Sequence, residues 1–196
     1  MRTRNAEKEE LVKKMTVQMI VANGVENFSV NSLAKACGIS VATLYIYYKD
    51  KDDLIVQVGI DEGTRLSNAV LKDFDPEQSF ETGLRKQWEN RAGYQMANPL
   101  STQFMEKLHM SSYADKISAH IADQLVPTMR RFVENALARK EMKSMPIEVW
   151  WSLAFGPLYS LLRYHHQGSF IAGKPFSLNE EILWQTFDSV LKSLKP

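Results

Sequence analysis

With a single cysteine, Cys37, this chain of 196 residues has no means of forming an internal disulfide and falls outside the disulfide-stapled small-domain class. Long apolar runs are equally scarce. Charge, Gly or Pro interrupts each stretch well before the 18 residues a membrane span needs. The opening MRTRNAEKEE has no apolar core, so no signal peptide is expected and the default location is cytoplasmic. An excess of one charge is also missing. Lys and Arg number 24 against 23 Asp and Glu, and residues 1–53 carry 8 basic and 7 acidic side chains. General attraction to phosphate therefore has no compositional basis, and any nucleic-acid affinity must come from where a few cations stand. The four histidines lack metal-ligand spacing. His165 and His166 are neighbours that a helix points to different faces. No nucleophile is set beside a base and an orienting group, so catalytic residues, metal and cofactor are all expected to be absent.

What the chain does have is helical periodicity from end to end, with no sustained two-residue alternation, which makes the expected class all-α. Residues 7–22 place Leu11, Met15 and Met19 at spacing four, and Gly24 stops that helix. Two short helices follow. Ser29 is placed to cap the first, with Phe28 and Leu33 at the spacing of a hydrophobic staple, and Gly38 ends it. Ser40 caps the second, and Ile39 with Leu44 repeats the staple. Two caps eleven residues apart with a glycine between them describe a helix-turn-helix. Asp50 and Asp53 then open a helix to about residue 72. Further helices are expected at about 76–95, 98–110, 113–141, 147–167 and 178–194, the long third of these kinked or divided at Pro127.

The second helix of the pair, SVATLYIYY from Ser40 to Tyr48, carries the chemistry. With Leu44 and Tyr48 turned into a three-helix core, Val41 lies at the edge, and Ala42, Thr43, Tyr45 and Tyr47 face outward. Small and methyl-bearing side chains permit close approach to a major groove, and hydroxyls reach phosphates or base edges. Lys51, in the first turn of the next helix, adds a cation beside amides that already favour an anion. From the residues alone, DNA binding and ordinary helix packing both stay open.

Taken together, MIVANGVENFSVNSLAKACGISVATLYIYYKDKDDLI resembles the N-terminal DNA-binding domain of the tetracycline-repressor (TetR) family. The resemblance rests on Gly24, Ser29–Val30, Leu33–Ala34, Gly38–Ile39–Ser40, Thr43–Leu44–Tyr45, Tyr47–Tyr48, Lys51 and Leu54, and covers about residues 7–56. It implies a three-helix DNA-binding domain over residues 1–50 and a helical-bundle regulatory, ligand-binding and dimerisation domain over 51–196. It implies that Val41, Ala42 and Tyr45 face bases, while Ser29, Thr43, Tyr47 and Lys51 hold phosphates and Ser40 belongs to the same surface. Histidine is common in the family where Tyr47 stands, and threonine where Phe28 stands. Arg2 and Arg4 are candidates for an arm along the DNA.

The implied partners are a palindromic double-stranded DNA operator, a second copy of the chain and a small apolar or amphipathic effector, with no membrane. One recognition helix covers few bases, and a twofold axis doubles the reading. The implied function is repression relieved by the effector; the alternative is a helical interaction or structural domain that does not bind DNA. For the effector, the aromatic and methionine side chains Trp88, Tyr94, Met96, Phe104, Met105, Met110 and Trp151, with His109, are the candidates. For the dimer they are Phe155, Leu158, Tyr159 and Leu162 on a helix apolar around most of its circumference, with Phe187, Val190 and Leu191 on the last helix.

Overall fold

Three helices begin where a short polar side chain, Ser29, Ser40 or Asn179, caps them, and two end where Gly24 and Gly168 take positive φ. A computed structural model describes residues 2–196, with side chains described from Ala6 onward, so the side chains of Arg2 and Arg4 lie outside the described residues. The elements are α1 (Arg2–Asn23), α2 (Val30–Ala36), α3 (Val41–Tyr47), α4 (Lys51–Leu71), α5 (Phe80–Ala97), α6 (Pro99–His109), α7 (Ala114–Ala138), α8 (Ile147–Gln167) and α9 (Glu180–Leu194), with a 3-10 turn at Ile171–Gly173. Among the described residues the only β-type pairing is an isolated bridge between Ser169 and Pro175, so the class is all-α.

Three expectations shift. In α1 the buried positions are Val12, Thr16, Val17 and Ile20, whereas Leu11 is exposed and Met15 and Met19 only half-buried. Thr16 can take a core position because its hydroxyl donates to the Val12 carbonyl of its own helix at 2.8 Å. α7 runs unbroken through Pro127, and no division occurs there. α5 starts at Phe80, where the Phe80 amide donates to Glu141 Oε2 at 2.6 Å and Ser79 Oγ accepts from the Thr82 amide.

The chain packs into two compact units. The first joins the residues up to Leu66 with Asn98–Asp123, and the second joins Ser67–Ala97 with Gln124–Pro196. The first unit thus contains α1 to α3, most of α4, α6 and the start of α7. Its core holds Val12, Ile20, Phe28, Leu33, Leu44, Leu54, Phe104 and Ile117. Gly59 and Gly63 let α7 lie close on α4, since a Cβ at Gly59 would stand 2.5 Å from Ile117 Cδ1. The core of the second unit is built on Phe80, Trp88, Phe132, Trp150, Phe155, Leu158 and Phe187.

Candidate nucleic-acid interface

Within the first unit, α2 and α3 are held by the caps that the spacing predicts. Ser29 Oγ accepts from the Ser32 amide at 3.4 Å and Ser40 Oγ from the Thr43 amide at 3.1 Å. Between them Gly38 sits at φ +64°, a conformation that side chains rarely adopt, and Gly24 ends α1 at φ +82°. α4 opens with a reciprocal box: Asp50 Oδ1 accepts from the Asp53 amide, and Asp53 Oδ2 accepts from the Lys49 amide, both at 2.8 Å. Side-chain bonds from Gln57 and the Lys49 amide bond hold the Asp53 carboxyl below its usual range. Burial pushes the Tyr48 hydroxyl up to about 12, which keeps it neutral in the head's core. Lys13, pulled down by burial, is raised overall by its pairs with Asp61 at 2.7 Å and Glu9 at 3.0 Å.

Leu44 and Tyr48 are buried, and this fixes which side of α3 faces outward. Ser40 and Ala42 are exposed, Tyr45 is half exposed, and Val41, Thr43 and Tyr47 stand at the edges. Ile46 is 76% exposed and was not among the expected contacts. Two residues beyond Leu44 on a helix is nearly the opposite face, so helical geometry alone marks it. Ser29 and Ser40 spend hydroxyl lone pairs on caps. Ser40 Oγ and Thr43 Oγ1 also bond each other at 2.9 Å. The Lys51 ammonium stands 5.9 Å from the Phe28 ring centroid at the start of α4. The arrangement is a small, rigid, methyl-and-hydroxyl surface with a cation at its border.

The residues expected to take an effector are divided between the units. Phe104, Met105, His109 and Met110 are in the first, where Phe104 is buried in the core and Met110 is 91% exposed. Trp88, Tyr94, Met96 and Trp151 are in the second. Trp88 is fully buried with its indole N–H donating to the Ala154 carbonyl at 2.8 Å, so it has no donor to spare. Of the eight, Trp151 lines a groove, described below. Of the residues expected at a dimer face, Phe155, Leu158, Leu162, Phe187, Val190 and Leu191 are buried in the protomer's own core, and Tyr159 is half-buried. Their outward neighbours on α8, Val149 and Leu153, are exposed. Nothing lies within 4 Å of the space above Gly156.

Among the described residues no group of three or more His, Cys, Asp or Glu is placed to hold a metal. His165 Nδ1 accepts from the Leu178 amide at 3.1 Å. No helix of the described residues is long and apolar enough to cross a membrane.

Residues 8–58 match the family model of bacterial regulatory proteins, tetR family. A TetR-family transcription regulator from Marinobacter aquaeolei VT8 has a similar solved structure, with a TM-score of 0.84 and 26% identity, over 99% of this chain and 98% of that one. Residues 8–58 thus carry the regulatory domain of the tetR family, and the chain over its whole length is similar in fold to a TetR-family regulator. Two further likenesses come from Haemophilus influenzae. A solved TetR-family regulator has a TM-score of 0.77 at 19% identity, over 97% of this chain and 98% of that one, a likeness of fold. An HTH-type transcriptional regulator is 27% identical over 99 residues, 50% of this chain and 53% of its own length. An HTH-type regulator of Staphylococcus aureus (strain USA300) is 38% identical over 58 residues, 30% of this chain and 31% of its own length. The matched stretch thus spans about half the length of the first curated relative and a third of the second. The family-model match covers most of α1, all of α2 and α3 and the start of α4, and so contains the helix-turn-helix.

Proposed function

We propose that the chain is a ligand-responsive, sequence-specific transcriptional repressor that binds a palindromic operator as a homodimer and is released by a small apolar or amphipathic effector. The observation that carries this reading is the outward face of α3, where Ala42, Tyr45 and Ile46 stand exposed on a helix pinned from behind by Leu44 and Tyr48. In the major groove Val41, Ala42 and Ile46 offer apolar contact to thymine methyls, and Tyr45 reaches a base edge. Ser29, Ser40, Thr43, Tyr47 and Lys51 hold the flanking phosphates and fix the register. Placement by hydroxyls and one lysine substitutes for the missing basic excess.

A single α3 reads too few bases to select a site in a genome, and a twofold partner doubles the sequence read. The outward side of α8 at Val149, Leu153 and Gly156 supports that dimer, since it offers apolar contact and close approach. Relief of repression is then a shift between head spacings. An effector that favours the spacing unfit for the operator weakens DNA binding by the same factor that DNA weakens its own binding.

The test is titration of a duplex by wild type, Lys51→Ala and Tyr47→Ala at several salt concentrations. Both variants should lose affinity, and Lys51→Ala should lower the salt slope by about 0.9 for each phosphate contact removed, one in each head of the dimer. Equal affinities and equal slopes would instead favour a helical interaction domain that does not bind DNA.

A further inference from the structure

Arg91 lies on α5 in the second unit and is 2% exposed. Its guanidinium donates to Tyr159 Oη at 2.7 Å and to Gln87 Oε1 at 3.1 Å. Its central carbon stands 4.2 Å from the Phe155 ring centroid and 5.3 Å from that of Trp151. Its Nε has no acceptor, and no ion pair among the described residues includes it. A full positive charge is thus buried against neutral acceptors and aromatic faces. Ring faces and neutral oxygens offset part of the lost hydration, but buried charges are as a rule paired, because an uncompensated one is costly. An aliphatic side chain would fill this place without that cost. No carboxylate among the described residues pairs with it, so the site has room for a counter-charge from outside the chain.

A receptacle adjoins. The second half of α7, the α7–α8 connection and the start of α8 enclose a groove of about 580 Å³, within the range of small-molecule sites. Met129, Val133, Met142 and Met145 give it adaptable apolar walls. Trp150 and Trp151 also line it. The Trp150 indole N–H is buried and has no acceptor. Trp151, 38% exposed, is the same ring that covers Arg91. Arg130 and Glu134 line the groove too, and their opposite charges do not decide the sign of an occupant.

We propose that this groove binds an amphipathic organic anion. The apolar body lies against the methionines, and the anionic head is neutralised by Arg91 once the half-exposed Trp151 ring turns aside, with the Trp150 N–H as a second donor. The proposal rests on the effector reading above and gives it a place and a charge: the effector is negative, and Trp151 is its gate.

The test uses the full chain without DNA and three ten-carbon probes, decanoate, decanol and decylamine, with affinity measured by calorimetry. Decanoate should saturate near one per chain, with decanol and decylamine at least tenfold weaker. Arg91→Met should bind decanoate at least tenfold more weakly while melting no lower than wild type. Should that variant fail to fold, the three probes on wild type still decide the charge. Stopped-flow mixing with Trp151→Ala decides the gate, since decanoate should associate faster with it. Decanol binding as tightly as decanoate, Arg91→Met binding decanoate like wild type, or an unchanged association rate in Trp151→Ala would overturn the proposal. If decanoate binds and duplex affinity is unaltered, the site stands and the effector role fails. If decanoate does not bind and another compound releases the duplex, the site fails and the effector role stands.

Discussion

The two units treat inward-facing charge in opposite ways. In the first, Lys13 pairs with Asp61 and Glu9, and the nearly buried Glu62 accepts from Arg65 at 2.6 Å and from Ser101 at 2.5 Å. In the second, Arg91 is buried with neutral partners alone. A unit that balances its charge internally presents its chemistry on its outside, and in the first unit that outside includes α3. A unit left with an unmatched charge is built to be completed by something else. The comparison separates two jobs that composition, with its near-equal charges, hides.

The sharpest way to break that comparison is to remove one charge from each unit. Glu62→Ala should cost about 1–3 kcal/mol in urea unfolding, because Ser101 and Arg65 lose a part-buried acceptor. Arg91→Met should be neutral or stabilising in the same measurement. Equal losses would mean that Arg91 is a structural charge like the others, and the contrast between units would disappear. A smaller effect is expected at the start of α4, where Asp50→Ala removes a cap worth about 1 kcal/mol. Its pH signature belongs to Asp53, whose carboxyl is held below the usual value by Gln57 and the Lys49 amide. A lowered carboxyl contributes stability that is fully present above its ordinary value and is lost as pH falls through the lowered one. Asp53→Asn should therefore flatten the acid limb of stability against pH, by lowering stability at neutral pH while changing little at the acid end. An unchanged acid limb would show that the box at Asp50 and Asp53 is not formed in solution.

The head was legible because its determinants are local. Ser29, Gly38, Ser40 and Asp50 act within four residues of themselves, so spacing alone gave α2, α3 and the start of α4. Where a local signal was misread, the reason is specific. Leu11, Met15 and Met19 masked the true inner face of α1 because Thr16, polar by type, satisfies its hydroxyl on Val12 and is buried. Ile46 is apolar by type, yet its angle from Leu44 on the helix puts it outside.

The second unit was legible only as helices. Nothing beside Arg91 marks it as buried; its cover comes from Trp151, Phe155 and Tyr159, some 60 residues later in the chain. Phe155, Leu158 and Leu162 likewise read as one apolar helix, and only the packing of α8 on α5 and α9 separates the inward side chains from Val149 and Leu153. Long-range packing decides burial there, and spacing carries no trace of it.

The account turns on α3 as a reading helix, and the most direct measurement is selection of bound sequences from a pool of random duplex DNA by the purified chain. A palindrome of two half-sites whose centres lie a whole number of helical turns apart is the predicted result. Recovery of no enriched sequence, at salt low enough for binding, would contradict it.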